Sequence, residues 1–171
     1  MNLAVTLEMD VYAFIELVLR YFPSFRDEVY PESIPILPFL KVKFYKRVQI
    51  LIADVWSCFG GKNIGEFTNI DDITMFADYR VPQALCGLGI LEYSPALLSK
   101  LNSSLNEEGE NLELFSQEEI DIRASSILAV ESIKKYLKGW NSILIDYYLW
   151  DFAKRTNLSH IPIHRIRTIY Y

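Results

Sequence analysis

Ser116–Leu137, SQEEIDIRASSILAVESIKKYL, is the stretch whose reading decides the fold class. Ser116 with Glu119 three residues on fits a capping box, and Ile120, Ala124, Ile127, Val130, Ile133 and Leu137 then recur every three or four residues. This predicts an amphipathic helix that Gly139 stops. Downstream, Asn141 to Arg155 predicts a last helix, followed by a tail ending HRIRTIYY. Upstream, Asn102–Asn111 is a polar loop, Ser94-Pro95 is a cap with a first-turn proline, and Pro82 suits the start of another helix.

The same reading extends to the other end of the chain. Phe44, Val48, Leu51, Ile52, Val55 and Phe59 make the apolar stripe of a helix over Lys43–Phe59, which Gly60-Gly61 ends. Val11, Phe14, Ile15, Val18, Leu19 and Phe22 make another over Met9–Phe22, which Pro23 ends. Tyr30–Pro38, with three prolines, reads as a loop, and Ile70–Phe76 as a short helix. No period-two segment has comparable strength. The expectation is all-α, one compact helical domain without internal repeat or interdomain linker.

A chain of 171 residues is long enough for a real core, burying roughly 70% of its unfolded surface. Half of it is apolar, which excludes a disordered protein. A net charge of −5 argues against direct nucleic-acid binding, which needs a surplus of Lys and Arg on one face. Cys58 and Cys86 are isolated in apolar segments and read as small buried hydrophobes of a reducing compartment, by default the cytosol. The opening MNLAVTLEMD lacks signal-peptide character, and no apolar run approaches the roughly 20 residues that cross a bilayer. Neither a membrane nor a targeting segment is expected.

General chemical signatures are absent: there is no phosphate-binding glycine loop, HExxH, GxSxG or paired CxxC. Four local features set charges among large apolar residues. FYKR, Phe44–Arg47, is either a solvated basic face or an anion site. In TMFADYRVPQ, Thr74–Gln83, Asp78 between aromatic residues is either a capping or ion-paired group or a functional carboxylate. In SILIDYYLWDFAKR, Ser142–Arg155, Tyr147 and Asp151 share a helix face and Asp146 starts another. His164, Arg165 and Arg167 belong either to a surface arm or to a second basic patch.

FYKRVQILIADVWS, ITMFADYRVPQALCGLGIL, NSILIDYYLWDFAK and HRIRTIYY resemble, in the same order, segments of the queuosine salvage protein family, over about Tyr21 to Tyr171. The resemblance implies a build like that of helical DNA glycosylases. It implies hydrolysis of the N-glycosidic bond of queuosine 5'-phosphate, releasing queuine for salvage into tRNA modification, with no cofactor or metal. It implies that Asp78 is the catalytic carboxylate and that Phe76, Asp146, Tyr147 and Asp151 contact the substrate. Candidates for the 5'-phosphate are Lys46, Arg47, His164, Arg165 and Arg167.

Family members carry a further amino-terminal portion that supplies part of the pocket, including a contacting histidine, and no counterpart to it precedes Tyr21. The chain is thus expected to be the carboxy-terminal part, partnered by that portion or by another subunit. The alternative is a truncated, non-catalytic helical module that binds a ligand or partner chain.

Overall fold

The computed structural model describes residues 9–30, 41–103, 105–107 and 109–171. Most of the MNLAVTLEMD opening and of the proline-rich loop falls outside these residues. Among the described residues six α-helices carry the fold: α1 (Val11–Tyr21), α2 (Lys46–Cys58), α3 (Arg80–Gly87), α4 (Pro95–Leu101), α5 (Gln117–Lys134) and α6 (Ser142–Arg155). Four begin with a side-chain oxygen on a free N–H: Asp10 caps α1, Ser94 α4, Ser116 α5 and Asn141 α6. The helical expectation holds.

A small strand pair accompanies the helices, and three local readings are corrected. Strands β1 (Glu28–Val29) and β2 (Val42–Lys43) form a small antiparallel pair, with Glu28 opposite Lys43. Ile70–Phe76 is not a helix: a single 3-10 turn covers Ile70–Asp72, and the chain then runs extended or irregular to Tyr79. Cys58 is exposed and Cys86 half-buried, so neither is a fully buried hydrophobe. Helix α5 also ends before Gly139, leaving Leu137 outside the stripe, although Gly139 does take the left-handed conformation (φ 79°).

The largest apolar cluster joins α3, α5 and α6 through Val81, Leu85, Ile120, Val130, Ile145 and Leu149. A second joins α1 and α2 to the start of α6 through Val11, Ile52, Phe67, Phe76 and Ile143. Segment 73–79 is threaded between them, with Ile73, Met75, Phe76, Ala77 and Asp78 all buried. Buried backbone outside helices and sheets needs polar partners, and here helical side chains provide them. Gln49 of α2 accepts from the Thr74 N–H at 2.9 Å, Asp146 of α6 accepts from the Phe76 N–H at 2.8 Å, and Arg123 of α5 donates to the Ala77 carbonyl at 3.1 Å.

The tail crosses this assembly as irregular backbone pinned by side chains. Asn111 accepts from the Arg165 N–H at 2.7 Å and donates to the Ile163 carbonyl at 3.0 Å. Gln83 of α3 donates to the carbonyls of Leu158 and Ile161. No helix among the described residues is long and apolar enough to cross a membrane.

Candidate active site

Where segment 73–79 meets α2 and α6, a cavity of about 510 Å³ opens, lined by Lys46, Ile50, Phe76, Asp78, Asp146, Tyr147, Trp150 and Asp151. Asp78 stands at the entry to α3, and its Oδ1 accepts from the N–H groups of Arg80 and Val81, both at 2.9 Å. The capping role is therefore real. It occupies one oxygen and leaves the other for the cavity that Asp78 lines. Desolvation raises the Asp78 pKa above the usual carboxylate value, against the pull of the Val81 N–H and the Lys46 ammonium.

Asp146 is 5% exposed. Desolvation, reinforced by the charge of Asp78, pushes its pKa up to about 8, although the Phe76 N–H and Lys46 act the other way. That shift favours the protonated form of Asp146 near neutral pH. Lys46 is itself pulled below the usual lysine value by burial and pushed back by Asp78 and Asp146. Two acids and one ammonium thus share a partly dry site in which each sets the others' charge.

The walls are aromatic. Phe76 and Tyr147 meet at a ring separation of 6.1 Å and a tilt of 56°. Trp150, with Lys154 held 3.7 Å from its ring centre, completes the α6 side and was missed by the sequence reading. Its spacing of four from Asp146 and three from Tyr147 on one helix was the signal available. Asp151 is at the rim, half-exposed, and its carboxylate takes a 2.9 Å ion pair from Arg155.

The five basic candidates do not converge. Lys46 lines the cavity described, whereas His164, Arg165 and Arg167 line another of about 380 Å³ with Tyr79, Arg80 and Tyr171. Arg47 lies over the Phe25 ring and donates to the Ile169 carbonyl at 3.1 Å, so it braces the tail. His164 is buried, and neither ring nitrogen has a hydrogen-bond partner among the described residues.

The model of the queuosine salvage protein family matches residues 1–171, which extends the resemblance beyond its expected Tyr21 limit. The chain is 44% identical over 170 residues to the queuosine 5'-phosphate N-glycosylase/hydrolase of Mus musculus, the match covering 92% of this chain and 47% of that protein. It is 46% identical over 152 residues to the protein of that name from Nematostella vectensis, with 77% and 42% covered. A bacterial relative of the same name, from Sphaerobacter thermophilus, is 39% identical over 163 residues, with 93% and 47% covered.

The chain belongs to the queuosine salvage protein family. It spans about half the length of the curated relatives it matches. Within this chain, Phe76, Asp78, Asp146, Tyr147 and Asp151 come together on one cavity from segments as far apart in sequence as 76 and 151.

Proposed function

We propose that this chain hydrolyses the N-glycosidic bond of queuosine 5'-phosphate, releasing queuine for tRNA modification in the cytoplasm. The observation that carries the reading is the convergence of Asp78 and the buried Asp146 on one aromatic-walled cavity. Cleavage of such a bond develops positive charge on the ribose and negative charge on the departing base. Asp78, with one oxygen held by two N–H groups and Lys46 favouring its ionised form, suits the ribose side as nucleophile or electrostatic stabiliser. Asp146, whose pKa burial pushes up to about 8, suits donation of a hydrogen bond or proton to the base.

The remaining lining has matching tasks. Phe76, Tyr147 and Trp150 offer flat apolar faces to a flat base and exclude water, which strengthens every charge interaction. Asp151 at the rim, already paired with a guanidinium, suits the basic amine of the queuine side chain. Lys46 is retained as the candidate for the 5'-phosphate because, of the five, it lines this cavity.

The coverage of relatives supports reading the chain as one part of a longer family domain; the motif resemblance makes that the carboxy-terminal part, with an amino-terminal portion or partner subunit closing the open side of the pocket. The coverage equally favours a second reading, a module that binds the nucleotide without turning it over. A groove lined by Leu88, Ile90, Leu137, Trp140 and Tyr148, all substantially exposed, fits that reading as a surface for a partner chain.

Incubation with queuosine 5'-phosphate and chromatography for free queuine separates the two. Asp78→Asn is the control, since an asparagine oxygen can still accept from Arg80 and Val81 while the charge is gone. Release no faster than this control overturns the hydrolase reading for the chain alone. Binding without release, with turnover restored by the amino-terminal portion, establishes the second.

A further inference from the structure

Arg123 of α5 is fully buried and spans the two segments that present the facing charges Asp78 and Lys46. Its Nε donates to the carbonyl of Ala77, the residue before Asp78, at 3.1 Å. Its Nη1 and Nη2 donate to the two carboxylate oxygens of Asp27 at 3.0 and 2.5 Å, and Nη1 also reaches Glu119 at 3.1 Å. The Phe44 ring centre lies 3.9 Å from its Cζ and the Tyr171 ring centre 4.8 Å, so the guanidinium plane is gripped by packing as well as by hydrogen bonds.

Asp27 carries the connection into α2. Its carbonyl accepts from the N–H groups of Phe44 and Tyr45 at 3.0 and 3.3 Å, and its carboxylate accepts from the Lys46 N–H at 3.4 Å. Tyr45, at the N-cap position of α2, is left-handed (φ 49°) and provides no side-chain cap, so the cap comes from Asp27 across the fold. A continuous path of bonds therefore runs from Lys46 through Asp27 and Arg123 to the peptide that leads into Asp78.

We propose that Arg123, with Asp27 as its partner, is a positioning residue for the reaction: it fixes the spacing of Asp78 from Lys46 without touching the substrate. The inference rests on the hydrolase reading above. Its physical basis is that a buried ion cluster is a poor way to gain stability, because apolar groups of like volume often do as well. A planar fork with five donors, however, sets direction at several acceptors at once, as a lysine cannot. Asp78 is faced by Lys46 from α2, Asp146 from α6 and Arg80 from α3, so its charge state depends on these separations.

The test is Arg123→Lys in the full chain, which keeps the buried charge and loses the fork. Circular dichroism and a melting curve establish folding. Carbon-13 NMR titration of the Asp78 and Asp146 carboxyls, and kcat and KM for queuine release, read the site. The expected result is a folded variant with kcat lowered about 10- to 100-fold, KM within about threefold, and Asp78 titrating about half a unit or more higher as Lys46 is displaced. A folded variant with unchanged kcat and unshifted Asp78 overturns the proposal.

If Arg123→Lys does not fold, Asp27→Asn, which weakens only the α2 side of the path, is judged by the same readouts. The titration needs no turnover. A shifted Asp78 in a chain that releases no queuine therefore sinks the hydrolase reading alone, and an unshifted one sinks the positioning role.

Discussion

Asp146 accepts a 2.8 Å hydrogen bond from the backbone N–H of Phe76, so one carboxyl both lines the cavity and satisfies the buried segment that leads to Asp78. The two jobs separate by substitution. Asp146→Asn keeps an acceptor for Phe76 and removes the cost of burying an acid, so in urea near neutral pH it is expected to be at least as stable as the parent while queuine release falls sharply. Asp146→Ala leaves that buried N–H unpaired and is expected to be about 1–3 kcal/mol less stable than Asp146→Asn. Equal stability of the two variants would contradict the structural half of this assignment.

That double use explains what the sequence could and could not convey. Helices α4, α5 and α6 were legible because Ser94, Ser116 and Asn141 are local signals, read within a few residues of the N–H groups they cap. Segment 73–79 was not, because its polar partners Gln49, Arg123 and Asp146 come from distant helices. A buried extended run also shows a continuous apolar face that periodicity cannot tell from a short helix. Glu119 was read as half of a capping box, yet its carboxylate accepts from Phe115 and Arg123 instead. Asp78, Asp146 and their aromatic neighbours stood out as charges among apolar residues, whereas Arg123 and Asp27 did not, since an i,i+4 Glu–Arg pair reads as a solvated face.

The buried acids set a pH dependence of stability. Burial moves the Asp146 pKa from the ordinary aspartate value of 3.8 up to about 8 on folding, so between those values the folded chain holds a proton that the unfolded chain has lost. Stability therefore falls as pH rises through that window, by up to about 1.4 kcal/mol per unit for one proton. Asp78 and Glu119, also raised, act in the same direction. Urea denaturation is expected to show declining stability from pH 6.5 to 8, and Asp146→Asn to flatten the decline. A slope that survives the substitution would remove Asp146 as its source.

Lys46 and Arg47 are adjacent in sequence and divide in function. Lys46→Met is expected to raise the titration of both Asp78 and Asp146, since Lys46 lowers each, and to cut queuine release about tenfold or more. Arg47→Met loses only a ring contact with Phe25 and a bond to the Ile169 carbonyl. It is expected to leave KM and kcat unchanged while loosening the tail, which hydrogen exchange at residues 165–171 would register. A rise in KM on losing Arg47 would return it to the phosphate-contacting group.

His164 supplies the opposite pH slope. Burial, with the nearby Arg123 charge, lowers its pKa from 6.5 to about 4, so between those values the unfolded chain binds the extra proton and stability falls as pH drops. At pH 5 the cost is about 2 kcal/mol. In the same window Asp146 works the other way, so the two largely cancel below pH 6.5 and the acid slope emerges only above it. His164→Leu removes two buried nitrogens that have no partner among the described residues and keeps an apolar side chain against Tyr171. The variant is expected to match or exceed the parent at pH 7 and to exceed it clearly at pH 5, as measured by urea denaturation at the two values. A variant that is weaker at both would mean that the imidazole makes a bond that outweighs its burial, and His164 would rejoin Arg165 and Arg167 as a candidate for ligand contact.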